Sequence, residues 1–229
     1  MPAKFSIFAV AAMPLIPIAL ACGDDGGGKI KVPDAKVFND APPDAPTLCT
    51  AESSYPTPSF GSNQFATNYP ASGSGSSAQP HVISYGGALN ADIDALRLIL
   101  FQGYGGFGSG DIRPGTYTIT GADTKFSTCG ICVLVQTNNM GQTFADWYAA
   151  TSGTVTLTST GTNGTGTFSG SLSNVSLVHV GKDAMGLPAD TTASNCTSTI
   201  PTANFTATLM AGSATGKPSD PLALRRRYY

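Results

Sequence analysis

Between residues 154 and 209 apolar side chains alternate with Thr and Ser, a period of two that admits little besides antiparallel strands with one wet face. Val155 and Leu157 share a face against Thr154, Thr156 and Thr158, and Phe205, Ala207 and Leu209 share one against Thr206 and Thr208. The apolar parity flips between Phe168/Leu172 and Val175/Leu177, so a bulge near Asn174 is needed to keep both halves on one core. Further strands are expected at 81–85, 96–101, 116–120 and 131–137, beside those at 154–160, 165–172, 175–180 and 203–209. The runs at 96–101 and 131–135 are apolar on nearly both faces, as interior strands are. Pro114-Gly115 suits the central pair of a type II turn, and Asn163-Gly164 suits a two-residue hairpin. The best helical stretch, 144–150, is short. The expected fold is mainly β, an antiparallel β-sandwich rather than a closed barrel, preceded by a disordered N-terminal tether.

The rest of the chain is organised around that domain. Residues 1–21 read as a signal peptide: Lys4 gives a positive start, 5–20 is apolar, and small residues precede Cys22. Pro14 and Pro17 would break a spanning helix there. From 22 to 47 the chain mixes glycines with Asp24, Asp25, Asp34, Asp40 and Asp44 and with Pro33, Pro42, Pro43 and Pro46. From Gly23 to Pro46 such a composition makes an extended tether with a reach of at most roughly 75 Å at about 3.1 Å per residue. Residues 48–80 form an irregular arm carrying Tyr55, Phe60, Phe65 and Tyr69, followed by a Ser/Gly-rich loop. Four aromatic rings are too much apolar area to leave wet, so the arm is expected to pack. The sandwich occupies 81–211, and 212–229 is a flexible tail ending in Arg225, Arg226, Arg227, Tyr228 and Tyr229.

Ala19-Leu20-Ala21-Cys22-Gly23 resembles the lipobox of bacterial prolipoproteins. Leu20, Ala21 and Cys22 match that motif, while Ala19 stands where a larger aliphatic residue is commoner. The resemblance implies cleavage before Cys22, lipidation of that cysteine with palmitate-type acyl chains, and anchoring in the bacterial envelope, most often the outer membrane. Several acyl chains anchor stably because each buried CH2 contributes about 0.8 kcal/mol. The Thr/Ser/Gly-rich domain behind the anchor is similar in character to envelope lipoproteins of Gram-negative bacteria.

A net charge of −2 with 11% charged residues excludes a nucleic-acid binder, which needs a basic face or stripe. With Cys22 lipidated, Cys49, Cys129, Cys132 and Cys196 remain, an even number suited to two disulfides in an oxidising compartment. The pairing expected is Cys49 with one of Cys129 and Cys132, and Cys196 with the other. Cys129-Gly130-Ile131-Cys132 also has the spacing of a redox dithiol or half a zinc site, but a strand rather than a helix follows it, and His81 and His179 have no companion ligand spacing. No metal or cofactor is therefore expected.

Hydrolase motifs are missing: there is no Gly-x-Ser-x-Gly, and neither histidine has a carboxylate beside it in sequence. Asp92, Asp94 and Asp111 lack the full pattern of a calcium loop, and Glu52 is the only glutamate. The glycine-rich run 102–110 lacks the Lys-Ser/Thr ending of a phosphate loop. Its Tyr104 and Phe107 would suit stacking on a sugar or a protein partner. The expected function is a non-enzymatic, lipid-anchored envelope protein in a structural or interaction role. The alternatives are a carbohydrate- or ligand-binding module using Tyr104 and Phe107, and an exported thiol-disulfide protein using Cys129 and Cys132.

Overall fold

In a computed structural model the described residues are 49–56, 58, 60, 64–69, 81–90, 94–108, 110–138, 144–162 and 165–212. The segments expected to form the signal peptide (1–21), the tether (22–47) with Cys22, the Ser/Gly-rich loop and the C-terminal tail, together with Asn163-Gly164, fall wholly or mostly outside them. All the described residues belong to one compact unit, Ala45–Tyr229.

The strands are β1 (Phe65–Tyr69), β2 (Val82–Asn90), β3 (Asp94–Phe101), β4 (Gly115–Thr118), β5 (Ile131–Gln136), β6 (Trp147–Thr162), β7 (Thr165–Lys182) and β8 (Pro188–Ala211). They form one sheet in the order β4-β6-β5-β3-β2-β1-β8-β7, and β7 also pairs with β6. The mainly β, antiparallel expectation holds, with one exception in the parallel β1–β8 pairing. What differs from a two-sheet sandwich is the edges. The ladder runs in a circuit through seven strands, with β4 attached to β6 as a short flap, so the facing layers are parts of one folded-over sheet. Closure removes most of the open strand edge that a sandwich leaves.

The interior is filled from every side of that circuit. Leu96, Leu98 and Leu100 of β3 and Ile131, Val133 and Val135 of β5 point in, with Ile83 and Tyr85 of β2 and Phe168, Leu172, Phe205 and Ile200 of β7 and β8. Tyr85 meets Phe205 at 5.1 Å and Phe168 at 6.0 Å between ring centroids, contacts across the core between strands that are not neighbours in the sheet. A second cluster explains why β3 and β5 are apolar on both faces. Ile99, Phe101, Cys132 and Leu134 point outward and are roofed by Phe126 and Cys129, with Trp147 beside them.

The parity flip is accommodated as expected. The strands foreseen at 165–172 and 175–180 are one continuous β7, and Asn174 takes a φ of 50° between its halves. The β6 register slips at the same place, from Ser152↔Ser176 to Thr154↔Ser173, around Gly153 at φ 128°. A Cβ on Gly153 would lie 2.7 Å from the Val175 backbone, so the bend requires glycine there.

Three local expectations are corrected. The stretch 144–150 is not a helix: Trp147–Ala150 begins β6, because Tyr148 and Ala150 face the interior while Trp147 and Ala149 face the outer cluster. Gly115 opens β4 with a φ of 159°, far from the roughly +80° that the third position of a type II turn needs. The arm is more than a covering, since Phe65–Tyr69 is a strand and inserts between β2 and β8. Its earlier part does pack: Ala51, Tyr55 and Phe60 are buried in the main core, and the Tyr55 N–H donates to the Thr199 carbonyl at 2.8 Å.

Candidate functional site

The glycine-rich loop does not present its two rings together. Gly105–Phe107 is a turn of 3-10 helix that drops Phe107 into the interior cluster, edge-on to Tyr117 at 5.0 Å. Tyr104 is half-buried and lies edge-on to Phe101 at 6.4 Å, against the other cluster. The glycines serve close packing: a Cβ on Gly105 would fall 1.9 Å from Asp123 Oδ1, and one on Gly130 would fall 1.9 Å from the Tyr104 carbonyl oxygen. Asp123 Oδ1 in turn accepts the N–H groups of Gly130 at 2.8 Å and Ile131 at 3.0 Å, which ties the loop to the start of β5.

The cysteines pair Cys49 with Cys196 and Cys129 with Cys132, which corrects the expected crossed pairing. The chain turns tightly enough before β5 to bring the Cα atoms of Cys129 and Cys132 within 5.4 Å, and the packed arm brings Cys49 within 5.5 Å of Cys196. Cys129 and Cys132 are 1% and 2% exposed. A redox dithiol needs an accessible, acidified sulfur, and neither burial nor a following strand supplies one.

The remaining residues singled out in the sequence are mostly tied into the framework. Asp94 is buried and accepts from the Tyr55 hydroxyl at 2.7 Å, the Asn138 N–H at 2.9 Å and Asn90 Nδ2 at 3.2 Å. Burial, reinforced by Asp94, pushes the Tyr55 phenol well above its ordinary range. Asp111 accepts from Gln102 Nε2, and Asp92 lies outside the described residues. His81 meets Asn68 Oδ1 through Nε2, and burial lowers its pKa against an opposing pull from Asp111.

His179 is different, because its partners come from three separate elements. Its Nδ1 lies 2.7 Å from Ser194 Oγ of β8, and its Nε2 lies 3.4 Å from Asp146 Oδ1, just before β6. The ring stacks on Tyr148 at 5.2 Å with planes 24° apart, a consequence of the β6–β7 register Tyr148↔His179. Asp146 is held from the other side, where Thr50 Oγ1 of the arm donates to Oδ2 at 3.0 Å, while Lys182 Nζ stands 3.9 Å from Oδ1.

Ser194 reaches the imidazole because β8 bulges. The ladder pairs Val178 with Thr197 and Val180 with Thr192, which leaves four residues, Ala193 to Cys196, opposite His179 alone. Bulges re-aim side chains in this way. The Cys196 N–H donates to Ser194 Oγ at 3.2 Å, and the Cys49–Cys196 bond pins the end of the bulge. An open hollow of about 460 Å3, lined by Cys49, Ala193, Ser194, Asn195 and Cys196, lies beside it. Sequence reasoning missed Ser194 and Asp146, since neither sits near His179 in the chain and no local motif marks them.

Comparison with known proteins finds no matching family model, no matching curated protein and no matching solved structure.

Proposed function

We propose that this chain is an exported lipoprotein of the bacterial cell envelope, cut before Cys22 and anchored there, most often in the outer membrane. Its domain stands off the membrane on the 22–47 tether and works in a structural or interaction role. The observation that carries the reading is the state of the other four cysteines. All of them are paired, two by two, once Cys22 is set aside for lipid. Stable structural disulfides form in exported proteins, whereas cytosolic thiols are kept reduced. Among the described residues no helix is long and apolar enough to cross a membrane.

The two alternatives are not carried forward. Tyr104 and Phe107 belong to different clusters, and the sulfurs of Cys129 and Cys132 are buried.

Mass spectrometry of the protein from a membrane fraction tests the proposal. A mature N-terminus at Cys22 bearing a diacylglyceryl or triacyl mass, lost in Cys22→Ser together with membrane association, is the expected result. A free or uncleaved N-terminus in the wild-type protein overturns it.

A further inference from the structure

The bulge of β8 does more than interrupt a ladder, because it sets a hydroxyl on an imidazole backed by a carboxylate at the rim of a hollow. We propose that Ser194 is an acyl-accepting nucleophile, with His179 as its general base and Asp146 as a positioning residue, acting on small uncharged esters. This goes beyond the structural and interaction role and does not depend on the lipid anchor.

The contacts fit one protonation pattern. With the imidazole proton on Nε2, on the side where Asp146 Oδ1 stands 3.4 Å away at ion-pair rather than hydrogen-bond geometry, the Nδ1 lone pair accepts the Ser194 hydroxyl at 2.7 Å. Such a hydroxyl–imidazole–carboxylate line is recognised by geometry and roles rather than by chain order, and here the two ring nitrogens exchange places relative to the serine-protease arrangement. Tyr148 stacked beneath the ring and Thr50 bonded to Asp146 hold the line in place. The Cys196 N–H donates to Ser194 Oγ at 3.2 Å and helps fix the direction of the hydroxyl.

The reaction balances without a cofactor. Ser194 Oγ attacks the ester carbonyl carbon while its proton passes to His179 Nδ1. The tetrahedral intermediate expels the alcohol, which takes that proton, and leaves an acyl group on Ser194. Water, deprotonated by His179, then releases the acid and restores the serine. Among the described residues, those lining the hollow carry no charge, and the disulfide and Ala193 offer apolar contact beside Ser194 and Asn195, which suits a neutral, short-chain ester.

The test uses the full chain with its disulfides intact, a fluorophosphonate probe, and p-nitrophenyl acetate and butyrate. The expected result is one phosphonyl adduct, mapped by peptide mass to Ser194, and ester hydrolysis abolished in Ser194→Ala. His179→Gln should slow hydrolysis by at least about 100-fold, as loss of a general base does. Asp146→Asn should lower kcat with KM unchanged, whereas a merely structural disturbance of the hollow would raise KM. An unlabelled wild-type protein, an adduct on another residue, or a Ser194→Ala protein that hydrolyses as the wild type does overturns the proposal. Mapping the wild-type adduct decides the matter even where a variant fails to fold.

Discussion

Cys49 is bonded to Cys196 across a sequence separation of 147, which joins the arm to the bulge of β8. A crosslink of that span removes much of the unfolded chain's freedom, about 5 kcal/mol in the entropic account, against about 2 kcal/mol for a crosslink closing only a few residues. The double variant Cys49→Ser/Cys196→Ser should therefore lose far more stability in urea than Cys129→Ser/Cys132→Ser. Equal losses would show that the arm is held by its packed residues Ala51, Tyr55 and Phe60 rather than by the bond.

The glycine loop offers a matched pair of substitutions. Gly105 and Gly108 both have positive φ, 44° and 52°, and Gly108 with ψ −128° lies outside the left-handed helical well, so an alanine at either position is strained by about 1–3 kcal/mol. At Gly105 the new methyl also falls on the Asp123 carboxylate, while at Gly108 it meets nothing within 4 Å. Gly105→Ala should cost about 2 kcal/mol more than Gly108→Ala, read from urea midpoints. Similar costs for the two would mean that the loop does not lie against Asp123.

What the sequence revealed of this fold tracks how local each signal is. The alternation of β6, β7 and β8 and the flip at Asn174 are legible because burial on one side of a strand writes itself into neighbouring residues. The closure of the sheet is not, since it rests on three parallel register pairs, Ala66↔Leu209, Thr67↔Met210 and Asn68↔Ala211, which join distant parts of the chain. Trp147–Ala150 misleads because a short apolar run fits helix and strand periods alike. The same limit hides the cluster at His179. The histidine is visible in the sequence, but its partners are chosen by the β6–β7 register and the β8 bulge, and neither of these is a property of residues near it.

His81 gives a pH dependence with a definite sign. Burial lowers its folded-state pKa below the ordinary 6.5, so the folded protein favours the neutral ring. The stabilisation is fully present above pH 6.5, declines as pH falls below that value, and is gone once pH passes the lower folded-state pKa. Between pH 7.5 and acid pH the wild-type protein should lose more stability than His81→Gln, which cannot take up the proton. Parallel curves for the two proteins would show that His81 is as easily protonated in the fold as in the unfolded chain.

Asn174 tests whether the bend in the long strands is a backbone requirement. It is exposed, so its side chain contributes little burial, yet its φ of 50° is a region that asparagine and glycine tolerate and β-branched residues avoid. Asn174→Gly should leave stability within about 0.5 kcal/mol of the wild type, because the gain in ease of positive φ offsets the greater freedom of the unfolded chain. Asn174→Val, which has high strand propensity, should nevertheless cost about 1–2 kcal/mol, because the left-handed conformation crowds its Cβ against the following carbonyl. If valine were tolerated as well as glycine, β7 would have to pass this point in an extended conformation. Val175 and Leu177 could then no longer share the interior with Phe168 and Leu172.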